Sequence, residues 1–282
     1  MDAVRQQKIK QLNRHRWVVW LPLAFAFLAV YFHRTATGVV EDNLMREFSI
    51  ARASEIGGLA SIYFYTYAIM QIPAGVLADF YGPRRTILLA LLIAGLGAVS
   101  FGMAGNVTVL YIGRSLSSLG VSLIYVNIAK IHAEWFRSRE FTSITGLLVV
   151  AGSIGLLLAS TPLALMVDLF GWRLSFMVIA GYTLIAAIFC WLLVRDRPAD
   201  IGLPSITEVE AMEGVMQTAA VPVKRYSVLE SLKIVVGNPY TWWPFLASVM
   251  VYGVYMAFMG LWGVPYFMQI YGMSRVDASN HI

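Results

Sequence analysis

The sequence has little charge and almost no cysteine. Of its 282 residues, 13% are Asp, Glu, Lys or Arg, and 59% are hydrophobic. A typical soluble domain carries about a quarter charged residues, so this shortage excludes an ordinary soluble fold. The one cysteine, Cys190, lies in an apolar run and is expected to pack in the interior. It excludes an intrachain disulfide and a metal site built from several cysteines.

Motifs of catalysis and nucleotide binding are missing as well. The sequence contains no Walker loop, no cluster of metal-ligating residues and no convincing pair of nucleophile and base. The net charge of +5 comes from basic residues spread over several loops, which argues against nucleic-acid binding. The sequence therefore predicts a protein that is not an enzyme, needs no cofactor or metal, and binds no nucleic acid.

Long apolar runs make up most of the chain. Runs of about twenty apolar residues cross a bilayer as helices, because lipid offers exposed backbone no hydrogen-bond partner. The sequence predicts an all-α membrane protein with seven complete spans, at residues 17–40, 55–77, 86–105, 107–131, 141–167, 174–194 and 241–268. An eighth span is expected to begin near Asp277.

The placement of positive charge predicts the orientation of these spans. Basic residues precede the first span and recur in the second, fourth and sixth loops, whereas the other loops are short or acidic. Lysine and arginine mark the cytoplasmic side, so the N-terminus is expected to be cytoplasmic in a cell inner membrane. We predict a six-helix bundle at 1–194, a cytoplasmic linker at 195–240 and the start of a second bundle at 241–282. A short amphipathic helix is expected in the linker around 227–236.

One loop between spans combines a carboxylate, a turn glycine and paired arginines. It reads Gly75-Val-Leu-Ala-Asp79-Phe-Tyr-Gly82-Pro-Arg84-Arg85. This pattern resembles the loop between helices 2 and 3 of the major facilitator superfamily, a family of secondary transporters. The resemblance implies a gating role on the cytoplasmic side for Gly75, Asp79, Gly82, Arg84 and Arg85. The alternative is that the loop only anchors the topology, although an acid is unnecessary for that.

The resemblance also implies an architecture. The family fold joins two six-helix halves by a long inner loop. This chain then holds the N-terminal half, the linker and the seventh helix, as a truncated gene or a fragment of a longer protein. Because alternating access needs both halves, we expect the missing C-terminal half to be its partner. We also expect the chain alone not to transport.

A second motif places a cation inside an apolar span. The run Tyr111-Ile-Gly113-Arg114-Ser-Leu-Ser-Ser-Leu-Gly120 resembles the family's fourth-helix motif. A buried arginine is expensive in lipid, so Arg114 is expected to face a polar cavity or a polar partner. Two alternatives remain open. Arg114 lines the substrate path, or it binds backbone carbonyls and braces the fold.

A third motif lies in the first span, at Tyr31-Phe-His33-Arg34. It resembles the Tyr-x-Asp-Arg segment of organic-anion symporters, with a histidine where many relatives have aspartate. The resemblance implies that Arg34 contacts a substrate anion and that the residue at position 33 takes part in proton coupling. A histidine titrates near neutral pH and could serve in that role. The alternative for His33 is an interfacial polar residue near the outer surface.

Depth connects the two arginines. With a rise of about 1.5 Å per residue, Arg34 and Arg114 each lie roughly 10 Å below the outer end of their helix. Two cations at one depth repel each other unless an anion or an acid lies nearby. We therefore predict that both arginines converge on an anionic substrate. Further predicted contacts are Tyr31, Tyr67, Tyr125 and Tyr255, with aromatic packing as the alternative for Tyr67.

The sequence as a whole favours a secondary active transporter embedded in the lipid bilayer. Its expected substrate is a small organic anion, moved by alternating access with proton coupling. The alternative is a sensor or interaction protein built on the same fold, which does not transport and needs a cytoplasmic partner.

Overall fold

The computed structural model describes residues 2–50, 53–212, 228–258, 263–273 and 281. The secondary structure of these residues is helical, which confirms the predicted all-α class. The helices are α1 (Asp2–Val39), α2 (Glu41–Glu47), α3 (Ala53–Tyr81), α4 (Pro83–Gly102), α5 (Val107–Ser122), α6 (Ile124–Trp135), α7 (Phe141–Leu158), α8 (Thr161–Leu193), α9 (Ile206–Met212), α10 (Val228–Gly237), α11 (Pro239–Ala257) and α12 (Gly263–Tyr271). Short 3₁₀ helices lie at Ser138–Glu140 and Pro198–Ile201.

The chain divides into two compact units, Met1–Thr218 and Ala219–Ile282. Four stretches of the described residues are long and apolar enough to cross a membrane: Gln6–Val39, Pro83–Gly102, Val107–Trp135 and Ser138–Leu193. The last stretch contains the fifth and sixth predicted spans, which turn at Gly171 (φ +81°). Helix α3 lies outside this set, because its tyrosines and Gln71 make it less apolar.

Two predicted spans are broken within the bundle. The fourth consists of α5 and α6, which meet at Leu123. There the Ser122 hydroxyl donates to the Leu119 carbonyl at 2.7 Å, and such side-chain bonds bend helices. The fifth consists of α7 and the start of α8, separated at Ala159 and Ser160. Pro162 has no N–H to donate and follows this break, where the first turn of a new helix tolerates proline.

The predicted span at 241–268 lies in the second unit. The structure has α11 and α12 there, and residues 259–262 between them lie outside the described residues. Helix α11 begins after Asn238, whose side chain accepts the Tyr240 N–H at 3.1 Å. Helix α10 confirms the amphipathic helix that was predicted in the linker. The predicted start of an eighth span near Asp277 lies outside the described residues.

The first unit has two apolar clusters in its core. One surrounds Ile124, Ile128 and Trp135, near the end of the bundle that carries the loop 79–85. We call this end the loop end. The other surrounds Leu44 and Phe101 at the opposite end. The first cluster also contains Leu12, Leu203 and Val209, so the beginning of the predicted linker folds against the start of α1.

Glycines bring α4 and α5 into close contact. A Cβ on Gly120 would lie 2.4 Å from the carbonyl oxygen of Ala90, and one on Gly113 would lie 2.6 Å from the backbone nitrogen of Phe101. Small residues let helix backbones approach closely within a membrane. The glycines of the fourth-helix motif therefore act in helix packing.

We predict that Gly120→Ala lowers the stability of the first unit. The added methyl meets backbone atoms that cannot rotate away, so overpacking should cost about 1–3 kcal/mol. The measurement is thermal unfolding of the purified chain in detergent. Gly146→Ala in α7 is the matched control. Its Cβ meets no atom within 4 Å, and alanine favours a helix over glycine by about 1 kcal/mol. A Gly120→Ala chain as stable as the wild type would contradict this account.

A polar contact fastens the opposite end of the bundle. The Trp172 indole N–H donates to Glu47 at 2.8 Å, and Arg173 forms an ion pair with the same carboxylate. The Arg173 guanidinium also donates to the Ala104 carbonyl at 2.8 Å. Hydrogen bonds from Arg173 and then from Trp172 lower the pKa of Glu47. The contact therefore joins α2, the end of α4 and the second half of α8.

This contact makes a prediction about pH. A lowered pKa in the folded state means that Glu47 stabilises the fold above its ordinary pKa and loses that contribution as pH falls. We expect Glu47→Gln to lower the melting temperature at pH 7, because the ion pair with Arg173 is lost. The difference from the wild type should shrink as pH falls below about 4. The measurement is thermal unfolding of both chains from pH 3 to pH 8, and a difference independent of pH would contradict the prediction.

Candidate functional site

Arg114 joins three helices at the centre of the candidate site. Its side chain is 4% exposed, and its guanidinium donates to the carbonyls of Leu59 on α3 and of His33 and Arg34 on α1. The distance to the Arg34 oxygen is 3.1 Å. The guanidinium also lies 4.2 Å from the centre of the Tyr63 ring. Every hydrogen-bond acceptor of Arg114 is thus a neutral backbone carbonyl.

This geometry matches the second of the two alternatives for Arg114, the brace. A direct contact between Arg114 and a substrate stays a prediction. The contact with the Arg34 carbonyl places the two arginines at one level, as their depths predicted. The Arg34 guanidinium lies 5.6 Å from the centre of the Phe64 ring on α3, and its side chain is partly exposed. Both guanidinium groups therefore lie near the junction of α1, α3 and α5.

Two aromatic groups lie on the helices of this part of the bundle. On α3, Tyr63 is buried and stacks on Tyr67, with 6.3 Å between ring centres. The Ser118 hydroxyl donates to the Tyr63 carbonyl and ties α5 to α3. On α1, Phe27 lies between Tyr31 at 5.6 Å and Tyr125 of α6 at 5.9 Å. Tyr125 is 39% exposed, so this second group reaches the surface of the unit.

His33 lies inside the bundle. It is 2% exposed, and its Nε2 lies 3.0 Å from the Thr183 hydroxyl of α8. The structure therefore contradicts the alternative of an interfacial residue, because Thr183 and the surrounding helices cover the ring. The proton-coupling role stays a prediction. Tyr255, the predicted contact in the second unit, is 47% exposed, and its ring lies 6.3 Å from that of Tyr252.

At the loop end, Asp79 forms an ion pair with Lys130 of α6. The sequence analysis missed Lys130 as a partner. The available signal was the position of this lysine at the end of an otherwise apolar span. A lysine there needs an acid or water nearby to stabilise its charge. The ion pair joins the last turn of α3 to the end of the fourth span, within the same unit.

The arginine side of this loop is bound to the end of α8. The Arg84 backbone N–H donates to Asp196 at 2.7 Å, and its guanidinium lies 4.3 Å from the centre of the Trp191 ring and donates to the Trp191 carbonyl. Gly82 has φ +81°, and a Cβ there would lie 2.9 Å from Oδ2 of Asp196. Asp196 therefore caps the first turn of α4 from a distant part of the chain. Sequence reasoning treated Asp196 only as part of the linker.

The remaining loop residues are less constrained. Arg85 is exposed, and a Cβ on Gly75 would meet no atom within 4 Å. Gly75 therefore has no packing reason to be glycine within the described structure. The gating role of Gly75, Asp79, Gly82, Arg84 and Arg85 stays a prediction.

Curated relatives cover most of this chain, and the chain covers part of each of them. The membrane sensor protein UhpC of Salmonella typhimurium is 27% identical, over 94% of this chain and 58% of its own length. A protein of Chlamydia muridarum named "Probable hexose phosphate transport protein" is 24% identical, over 96% of this chain and 61% of its own length. The chain thus spans about three fifths of the length of these relatives.

The fold has counterparts among solved structures. The crystal structure of a bacterial homologue of the human lysosomal transporter Spinster superposes with a TM-score of 0.67 at 19% identity, over 95% of this chain and 58% of that one. The family model of the Major Facilitator Superfamily matches residues 23–280. The all-helical fold, the buried arginine and the loop motif agree with this match: the chain belongs to the Major Facilitator Superfamily.

Proposed function

We propose that this chain forms part of a secondary transporter for a small organic anion. The observation that carries the proposal is the buried Arg114 guanidinium, whose hydrogen bonds to described residues all go to neutral carbonyls, one of them that of Arg34. No carboxylate within the described residues neutralises Arg114. Its positive charge therefore adds to that of Arg34, and a low-dielectric wall strengthens the resulting attraction for an anion.

A phosphorylated hexose is the first substrate to test. One relative is named for hexose phosphate transport, and a phosphate offers several oxygens that a guanidinium binds in pairs. In this proposal Arg34 binds the phosphate, because its side chain is partly exposed. Tyr31, Tyr67 and Tyr125 contact the sugar through ring faces and hydroxyls.

Alternating access is proposed to use the loop at 75–85. Its polar contacts, Asp79 with Lys130 and Arg84 with Trp191 and Asp196, hold the ends of α3, α4, α6 and α8 together. Such contacts can move as one body when one half of the transporter rocks against the other. The loop end is proposed to be cytoplasmic, with the protein in the inner membrane and no enzymatic activity.

Substitution of Arg34 tests the substrate proposal. Arg34→Ala should reduce the affinity for glucose 6-phosphate roughly 10- to 100-fold, because charge-assisted hydrogen bonds contribute about 1.5–3 kcal/mol. The measurement is uptake of labelled glucose 6-phosphate and of a panel of organic carboxylates by cells that express the complete open reading frame containing this sequence. Arg139→Ala, which removes an exposed charge at the loop end, is the control. Unchanged uptake of every anion carried by the wild type would refute the proposal.

Proton coupling is proposed to involve His33, and it has its own test. His33→Gln should abolish the stimulation of uptake by an inward proton gradient and leave substrate counterflow intact, because counterflow needs no net proton movement. The measurement compares both modes in proteoliposomes. His132→Gln, which replaces a second buried histidine, should keep the response to the gradient. A full response in His33→Gln would exclude His33 from coupling.

A sensor is the second candidate function, since one of the most similar relatives is named as a membrane sensor protein. A sensor would bind the anion without moving it and would recruit a protein partner through the linker. Uptake separates the two candidates: a complete protein that binds glucose 6-phosphate but shows no saturable uptake favours the sensor.

A further inference from the structure

The ring of Tyr31 occupies the space that a side chain at position 152 would fill. Gly152 of α7 is buried, and a Cβ there would lie 2.4 Å from Cε2 and 2.9 Å from Cζ of Tyr31. The same Cβ would lie 2.9 Å from Cε1 of Phe27. Carbon atoms in van der Waals contact are about 3.5–4.0 Å apart, so any side chain at this position requires the rings to move.

A second glycine fixes the distance between the two helices. Gly155 lies one turn further along α7, and a Cβ there would lie 3.2 Å from both the Cα and the carbonyl oxygen of Leu28. The backbones of α1 and α7 are therefore already close together at this level. Because the backbones hold their spacing, a methyl at position 152 would displace the Tyr31 ring, which is the far end of a flexible side chain.

The neighbours of the Tyr31 ring limit the directions in which it can move. Phe27 packs edge-on against Tyr31 at 5.6 Å and also contacts Tyr125. Tyr31 as a whole residue is partly exposed, so the bundle does not enclose it completely. Arg34 lies three residues further along α1 and therefore shares a face of the helix with Tyr31.

We propose that Gly152 is a positioning residue that sets the size of anion accepted beside Arg34, and this rests on the substrate site proposed above. The absent side chain lets the Tyr31 ring lie back against α7, which leaves room for a sugar attached to the phosphate. A methyl at position 152 pushes the ring toward Arg34. Binding of a large anion then suffers more than binding of a small one at the same cation.

The position of the ring is measured directly by fluorine NMR. The chain is labelled with 3-fluorotyrosine in lipid nanodiscs, and Tyr31→Phe assigns the resonance of Tyr31. Gly152→Ala should shift that resonance, whereas Gly146→Ala, whose Cβ meets no atom within 4 Å, should leave it in place. An unshifted resonance in Gly152→Ala would overturn the proposal.

The effect on anion size is measured by equilibrium binding of glucose 6-phosphate and inorganic phosphate to the protein. Gly152→Ala should lower the affinity for glucose 6-phosphate roughly three- to tenfold, as expected for a ring forced from its rotamer. It should lower the affinity for phosphate less than about twofold. The ratio of the two affinities is the decisive readout, since a general loss of folded protein would lower both alike. An unchanged ratio would overturn the size-setting role.

A double variant tests whether Gly152 acts through Tyr31. When Tyr31→Ala has removed the ring, adding Gly152→Ala should change the ratio of affinities by less than twofold, as a double-mutant cycle requires. An undiminished effect in the double variant would contradict the mechanism.

Arg34→Ala distinguishes this proposal from the proposed substrate site on which it rests. Anion binding that survives Arg34→Ala refutes the proposed substrate site and the Gly152 proposal with it. Binding that depends on Arg34 but ignores Gly152→Ala refutes the Gly152 proposal alone.

Discussion

The hydrogen bonds of one buried guanidinium hold the candidate site together. Arg114 extends from α5 and binds carbonyls on α1 and α3, so its position fixes three helices at once. A cation in an apolar bundle is tolerated only when its donors are satisfied, and here backbone oxygens satisfy them without cancelling the charge. The same contacts that stabilise the helices therefore hold the Arg114 guanidinium beside the backbone of Arg34.

Close helix contacts made by glycines complement this polar brace. Gly113 and Gly120 bring α5 against α4, while Gly152 and Gly155 bring α7 against α1. In a bilayer, water does not drive helices together, so short backbone distances and interhelical hydrogen bonds must supply the cohesion. Helices α1 and α5 are thus each packed closely against a neighbouring helix through glycines. These contacts hold the aromatic side chains beside them in defined positions.

The sequence predicted the helices better than the side-chain contacts between them. Apolar runs were sufficient to predict the all-α class, and motif resemblance led to Arg114. The break at Leu123 was missed because no proline marks it; it coincides with hydrogen bonds from the Ser122 and Asn127 side chains to backbone carbonyls. Lys130 and Asp196 were missed for a different reason. Each contacts the loop from more than fifty residues away, and such pairs depend on tertiary geometry that local patterns do not encode.

The central claim is that the side of the bundle that carries Arg34 attracts a negatively charged substrate through this arginine. The most direct measurement is an experimental structure of the complete protein with glucose 6-phosphate bound. The account predicts that the phosphate lies within hydrogen-bond distance of the Arg34 guanidinium, with Arg114 still bonded to the carbonyls of α1. A phosphate bound elsewhere, with Arg34 turned toward the acyl chains, would contradict it.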